Sequence, residues 1–145
     1  MDARPGWWRL IAAGLLAGAF INACEWAVHA MWLDAAWTAA FAAIGKVPSG
    51  WSEFIPANFS LGVIAVWAYR WLSGMYGTSF KTAARVAVSI WIVFWVIPML
   101  AMLPLKIFPD SLLWSVIGVG AFDGTLGTLL GCWIYDAANW RPAAR

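Results

Sequence analysis

Four stretches of mostly apolar residues, separated by short polar segments, run along this chain. Each is close to the roughly 20 helical residues that cross the hydrocarbon core of a bilayer. The strict alternation of β-barrel strands is absent, and a lipid-exposed strand would leave its backbone groups unpaired. The pattern therefore predicts four transmembrane helices, at about residues 9–33, 54–72, 81–103 and 111–135.

The predicted fold is an all-α membrane protein, a single transmembrane domain over residues 1–145 built as a four-transmembrane-helix bundle. Hydrophobic residues make up 63% of the chain and charged residues only 11%, too few to cover a soluble domain of this size. Several of the 13 tryptophans fall near the ends of apolar runs, as in the aromatic belts of membrane proteins. The lipid bilayer is the expected partner, and the basic residues form no stripe that would indicate nucleic acid.

The lysines and arginines outside the apolar stretches are distributed unevenly between the two sides. One side carries Arg4, Arg9, Arg70, Lys81, Arg85, Arg141 and Arg145, and the other carries Lys46 and Lys106. Cytoplasmic segments are enriched in such residues. The bias predicts that both termini, and the loop Ser73–Phe80, face the cytoplasm. The first apolar run continues to Leu33 without a clean cleavage site, which favours a retained span over a signal peptide.

A short interfacial helix is predicted between spans 1 and 2, from Asp34 to Gly45, with a loop over residues 46–53. Asp34 is a candidate cap for its start, and Gly45 is a candidate end. The residues that recur at helical spacing on one apolar face are Trp37, Phe41 and Ile44. Such a face favours a helix lying on the outer membrane surface, and the alternative is an ordinary connector.

The third span contains Pro98, which lacks a backbone N–H group. This predicts a kink between Phe94 and Pro98. The kink is interpreted as structural, with a hinge as the alternative.

One face of the first span combines small and polar residues. Gly14, Gly18, Asn22, Glu25 and His29 recur at spacings of three and four, so they form one stripe along a helix. The two glycines are typical of a helix-packing contact in membranes. The stripe is therefore expected to face protein rather than lipid.

The fourth span carries a second glycine-rich face. Its members are Gly120, Gly124, Gly127 and Gly131, with Gly118 and Asp123 nearby. The face predicts tight helix packing, or room for a bound group.

Carboxyl groups at membrane depth are costly, about 2.5 to 3.5 kcal/mol on insertion scales, and they commonly mark function. Glu25 and Asp123 are the two such acids, and their similar depths allow contact if the first and fourth helices touch. Together with Asn22, His29 and Asn58 they form a candidate ligand or proton site. Either the acids are protonated, or a bound cation balances them, or they are neutral groups that only hydrogen-bond across helices.

Cofactor signals are weak in this sequence, and the cofactor is left unknown. His29 with Met99 or Met102 suggests haem, but the chain has a single histidine. The tryptophan pairs that could hold a flat pigment are Trp67 with Trp71 and Trp91 with Trp95. No spacing typical of a metal site and no catalytic set is found.

Several segments resemble an uncharacterised family of small bacterial four-transmembrane-helix integral membrane proteins. They are Gly14–Glu25 (GLLAGAFINACE), Val66–Arg70 (VWAYR), Tyr76–Ala83 (YGTSFKTA), the Trp91 and Pro98 pair, and Gly131–Tyr135 (GCWIY). The resemblance implies the four-helix fold and an acidic residue at Glu25 and at Asp123. Because the family is bacterial, it also implies a place in the bacterial cytoplasmic (inner) membrane. It implies no activity, and His29 does not belong to the shared pattern.

Two functions from different classes follow as hypotheses. The first is a non-enzymatic accessory or assembly subunit of a larger membrane complex, joined to other membrane subunits or to itself through small-residue faces. The alternative is a small carrier or binder of a proton, a cation or a hydrophobic amine or cofactor, using intramembrane Glu25 and Asp123. An enzyme acting on lipid or quinone is a third and weaker interpretation.

Overall fold

The computed structural model describes residues 6–47 and 52–140. Every regular element in that part of the chain is helical, which confirms the all-α prediction there. Half of the predicted loop over residues 46–53, namely residues 48–51, lies outside the described residues. So do three of the predicted cytoplasmic arginines: Arg4, Arg141 and Arg145.

Six α-helices follow one another along the chain. They are α1 (Trp7–Ala27), α2 (Asp34–Ala43), α3 (Phe54–Tyr76), α4 (Phe80–Trp91), α5 (Ile97–Met102) and α6 (Asp110–Asp136). The shorter pieces that continue or join them are the π-helical turns Val28–Trp32 and Ile92–Val96 and the 3₁₀ turns Leu103–Leu105 and Ala137–Asn139. The predicted spans correspond to α1, α3, α4 with α5, and α6, each with slightly shifted ends.

Three continuous helical segments are long and apolar enough to cross a membrane: Trp7–Trp32, Phe80–Leu105 and Asp110–Asn139. Many large apolar side chains on them point outward, with Trp26 and Phe122 each 61% exposed. A water-soluble surface rarely carries so much contiguous apolar area. Helix α3, which corresponds to the second predicted span, is not among these three segments. Its apolar sequence is interrupted by Asn58 and Arg70.

The core forms where α6 packs against α1, α3 and α4. It is filled by side chains that are 0% exposed, including Val66 of α3 and Leu113 of α6. Helices α1 and α3 make the closest approach, because Gly62 of α3 lies against the backbone of Gly14 and Gly18 of α1. The predicted glycine face of the first span therefore packs against α3.

Helix α2 forms within the predicted segment, and the prediction holds for its C-terminal end but not for its N-terminal end. Asp34 was predicted to cap the helix, whereas the structure starts α2 at Asp34 itself, and no side-chain hydrogen bond caps it. The prediction of this cap was wrong. Gly45 adopts φ +68° and accommodates the left-handed turn that ends the helix, as the sequence indicated.

The connection between α3 and α4 is shorter than predicted. The sequence suggested a loop from Ser73 to Phe80, but α3 continues to Tyr76, and the Ser73 hydroxyl donates to the Arg70 carbonyl within the helix. Gly77, at φ +77°, ends α3, and the Ser79 side chain then caps α4 by accepting from the Thr82 N–H group.

The third predicted span departs from regular α geometry just before Pro98. A π-helical turn occupies Ile92–Val96, and Pro98 lies in the first turn of α5. Proline cannot donate to the carbonyl four residues earlier, so the irregularity falls where that hydrogen bond would have been. The widened turn contains Trp95, which points into the core at 6% exposure.

Candidate functional site

Glu25 of α1 lies at the centre of a polar cluster that joins three long helices. Its Oε2 atom lies 3.0 Å from Nε2 of His29, and its Oε1 atom accepts a hydrogen bond of 3.2 Å from the Trp95 indole N–H. Its carboxyl group also lies at hydrogen-bonding range from that of Asp123 on α6. The structure thus brings together the two acids that the sequence singled out.

His29 belongs to the π-helical turn that follows α1 and is 7% exposed. Its Nδ1 atom accepts a hydrogen bond of 2.9 Å from the Trp37 indole N–H, so Nδ1 carries no proton. In the neutral ring the proton is then on Nε2, which donates to Glu25. Trp37 therefore selects one tautomer of His29 and directs its N–H group at the acid.

This tautomer can be tested directly, because His29 is the only histidine of the chain. We expect ¹⁵N-histidine NMR of the reconstituted protein at neutral pH to show a protonated Nε2 and a bare Nδ1. Trp37→Phe removes the donor to Nδ1 and should allow both tautomers.

Trp91→Phe is a matched control, because the Trp91 indole donates to the Ile117 carbonyl at 2.9 Å and not to His29. A wild-type spectrum with the proton on Nδ1 would contradict the assignment. An unchanged spectrum in Trp37→Phe would contradict the role of Trp37.

Asp123 is 0% exposed, and it is the most enclosed member of the cluster. Its Oδ1 atom accepts a hydrogen bond of 2.6 Å from the Gly124 N–H group. No N–H or O–H donor of the described residues reaches its Oδ2 atom. Because two ionised carboxylates repel at such range, the contact with Glu25 is favourable only when one proton is shared between them.

The glycine face of α6 divides into two parts with different neighbours. A Cβ atom added to Gly120 would overlap the Trp95 indole, and one added to Gly124 would lie 2.8 Å from it. These two glycines therefore make room for the ring that donates to Glu25. A Cβ atom added to Gly127 would lie 2.6 Å from Ile21 of α1.

The last glycine of that face also packs within the protein, whereas Gly118 lies on the other side of α6. A Cβ atom on Gly131 would lie 2.8 Å from the Ala17 methyl group of α1. Nothing lies within 4 Å of a Cβ atom added to Gly118, which points away from the core.

Asn22 and Asn58 pair with one another rather than with the acids. The Asn58 side-chain amide donates to Asn22 Oδ1 at 3.1 Å, and Asn22 donates to the Ile55 carbonyl at 3.2 Å. These bonds link α1 to the start of α3. Of the five residues proposed from the sequence, Glu25, Asp123 and His29 form the acid cluster.

Two members of the cluster were assigned other roles by the sequence. Trp37 was placed on a lipid-facing side of α2, but its ring packs against Phe108 at a centroid distance of 5.6 Å and reaches His29. Trp95 was considered only as part of an aromatic pair. Both His29 and Trp95 lie in π-helical turns, a feature that often accompanies functional sites.

A second buried polar group lies at the opposite end of the helices. Asp136, 2% exposed, accepts from Asn139 at 2.5 Å and from the Tyr69 hydroxyl at 3.4 Å. The Trp140 indole donates to Tyr69 at 2.7 Å. Among the candidate site residues predicted from the sequence, Asp136 does not appear, although an acidic residue directly after an apolar run is a signal for such a group.

The structure also bears on the cofactor hypotheses. Both ring nitrogens of His29 are engaged by Trp37 and Glu25, so ligation of haem iron would require breaking one of these bonds. Trp67 and Trp71 point outward, at 45% and 63% exposure. Within residues 6–47 and 52–140, no group of three or more His, Cys, Asp and Glu side chains could hold a metal ion.

Comparisons with protein-family models, curated proteins and solved structures found no match to this chain.

Proposed function

We propose that this chain is a bacterial inner-membrane protein that holds an exchangeable proton between the carboxyl groups of Glu25 and Asp123. The observation that carries the proposal is the contact between these acids, made from α1 and α6, where the second acid is fully buried. A proton at this contact supplies the donor that the Asp123 Oδ2 atom otherwise lacks.

The groups around the two acids indicate that a shared proton, and not a positively charged side chain, offsets their negative charge. The polar neighbours of Glu25 are His29, Trp95 and Asp123, and the histidine is neutral when it accepts from Trp37. A cluster with two ionised acids would carry two unbalanced charges in a medium of low dielectric constant. One shared proton removes one of these charges.

Partial access to the site supports exchange. The Glu25 side chain is 17% exposed and that of His29 is 10% exposed, whereas Asp123 is 0% exposed. We expect a monovalent cation that reaches the exposed part of Glu25 to displace the proton from the pair.

The experiment is a proton-release measurement on purified protein in weakly buffered detergent with a pH indicator. Addition of NaCl or KCl should release up to about one proton per chain from the wild type. N-methylglucamine chloride, added to the same ionic strength, should release much less because the cation is bulky. The double variant Glu25→Gln with Asp123→Asn should release none in either salt.

Asp110→Asn is the matched acid control, because Asp110 forms an exposed ion pair with Lys106 at 2.7 Å, outside the cluster. It should release protons like the wild type. Equal release by the double variant and the wild type, or no release from the wild type with any cation, would contradict the proposal.

The topology proposed for this function has four crossings, with both termini in the cytoplasm and α2 at the outer surface. Helix α3 has 23 residues and is about 34 Å long, enough to cross. Arg9 donates to the Ile134 carbonyl and Arg70 to the Tyr135 hydroxyl, so these cations lie at one end. This arrangement supports the positive-inside orientation, and membership of the four-span family stays a prediction.

Reporter fusions test this topology. A fluorescent protein fused after residue 145 should be bright, because it folds in the cytoplasm. A phosphatase that requires the periplasm should be active when inserted between residues 46 and 53. The opposite pattern, or activity on the same side for both insertions, would overturn the four-span orientation.

A second candidate function, an accessory subunit of a larger membrane complex, is favoured by the outward face of α6. Gly118 lies there between Trp114 and Phe122, which are 55% and 61% exposed. A glycine flanked by large apolar side chains leaves a notch into which a neighbouring transmembrane helix can pack.

Co-purification from native membranes in mild detergent tests this function. A stoichiometric partner should accompany the wild type and be lost from Gly118→Leu, whereas Ser115→Leu should lose it less. A chain that always purifies alone would count against the accessory role without affecting the proton proposal.

A further inference from the structure

A cavity of about 340 Å³ lies at the end of the helices opposite the acid cluster. It is lined by Trp7 of α1 and by Trp67, Arg70, Trp71, Gly74 and Met75 of α3. The lining residues of α3 recur at spacings of three and four, so they share one face of the helix.

Most of this lining is both apolar and open to the outside. Trp7 is 58% exposed, Trp71 is 63% exposed and Met75 is 65% exposed. The rings of Trp67 and Trp71 lie 6.4 Å apart in a tilted arrangement, and Ile64, 44% exposed, continues the apolar face toward the middle of α3. This surface suits a hydrocarbon chain that lies along the helix.

Arg70 gives the cavity a positive charge and a defined geometry. Its guanidinium group lies 4.6 Å from the centroid of the Trp7 ring and donates to the Tyr135 hydroxyl at 3.0 Å. These contacts orient the planar group, whose five N–H donors match the geometry of phosphate oxygens.

The surrounding charges favour an anionic occupant. The basic residues described at this end are Arg9, Arg70, Lys81 and Arg85. The acidic residue described there is Asp136, which is 2% exposed and already accepts hydrogen bonds from Tyr69 and Asn139. An anionic headgroup would therefore meet positive charge at this end.

We propose that this cavity binds one anionic glycerophospholipid, with its phosphate group on Arg70 and an acyl chain that runs from there along Trp67 toward Ile64. The site combines a cation near the end of α3 with the ring of Trp71 beside it and the ring of Trp67 about one turn deeper, where an acyl chain would begin. It is separate from the acid pair and does not depend on the proton proposal.

Native mass spectrometry of the full chain, released from mixed phosphatidylglycerol and phosphatidylcholine, tests the site. The wild type should retain phosphatidylglycerol in preference to phosphatidylcholine. Arg70→Gln should reduce that preference roughly fivefold, the effect expected of one arginine near an anionic lipid. Arg85→Gln is the matched control, because Arg85 lies over the Tyr76 ring, outside the cavity lining, and it should keep the preference.

One further variant and one competing ligand complete the experiment. Trp67→Ala should weaken retention of both lipids because it removes the ring on the acyl-chain side of Arg70, and it provides a second test if Arg70→Gln does not fold by circular dichroism. Millimolar glycerol phosphate should not displace the lipid, because it lacks acyl chains. Equal preference in Arg70→Gln and wild type, equal losses in the two arginine variants, or full displacement by glycerol phosphate would overturn the proposal.

Discussion

Replacing Gly62 with alanine is expected to destabilise the protein by roughly 2 to 4 kcal/mol. A Cβ atom at this position would overlap the Gly14 carbonyl oxygen and lie 2.5 Å from the Gly18 backbone nitrogen. These neighbours are backbone atoms that cannot change rotamer, so α1 and α3 would have to separate. SDS-driven unfolding in mixed micelles, followed by tryptophan fluorescence, measures the loss.

Gly118→Ala is the matched control, because it makes the same change in a helix where nothing lies within 4 Å. Its free energy of unfolding should not fall and should rise by roughly 0.5 to 1 kcal/mol, because alanine favours a helix interior over glycine. If Gly62→Ala were as stable as Gly118→Ala, the close contact of α1 and α3 would be refuted.

The second large effect concerns the coupling between the two acids. Glu25→Gln and Asp123→Asn should each lower the free energy of unfolding, because each removes one partner of the shared proton. The double variant should lose less than the sum, by about 1 to 3 kcal/mol, since the first substitution already abolishes the contact. Unfolding of the four proteins in mixed micelles at one pH gives this coupling energy.

The control cycle pairs Glu25→Gln with Asp110→Asn. The Asp110 side chain is 50% exposed and pairs with Lys106 rather than with the cluster. These two changes should be additive within about 0.5 kcal/mol. Additivity between Glu25 and Asp123 would mean that the two acids do not share a proton.

Helical periodicity explains why part of the site could be predicted from the sequence. Spacings of three and four place Gly14, Gly18, Glu25 and His29 on one side of the first span, and the cost of burying a carboxyl group marks Glu25 and Asp123. The structure joins these acids and packs the glycines against α3. The position of a residue along its own helix is enough to predict these features, without knowing how the helices pack.

The indole donors could not be predicted in the same way. Trp37 lies on α2, and its direction depends on how the chain turns after Leu33. Trp95 reaches Glu25 because a π-helical turn and two glycines of α6 let its ring enter the core. These relations are set by tertiary packing, which the period of the sequence does not encode.

Helix ends were the least predictable feature. Asp34 has the right chemistry for a cap but lies one residue inside the helix, and Ser73 continues α3 where a loop was expected. Ser, Asn and Asp side chains serve both at caps and within helices. Glycine was the more dependable signal, because Gly45 and Gly77 adopt the positive φ angles that end their helices.

Infrared spectroscopy of the reconstituted protein at neutral pH tests the shared proton most directly. The account predicts a carbonyl band from a protonated carboxyl group in the wild type that is absent from the double variant Glu25→Gln with Asp123→Asn. A wild-type spectrum without any such band beyond that of the double variant would mean that both acids are ionised, and the central claim would be wrong.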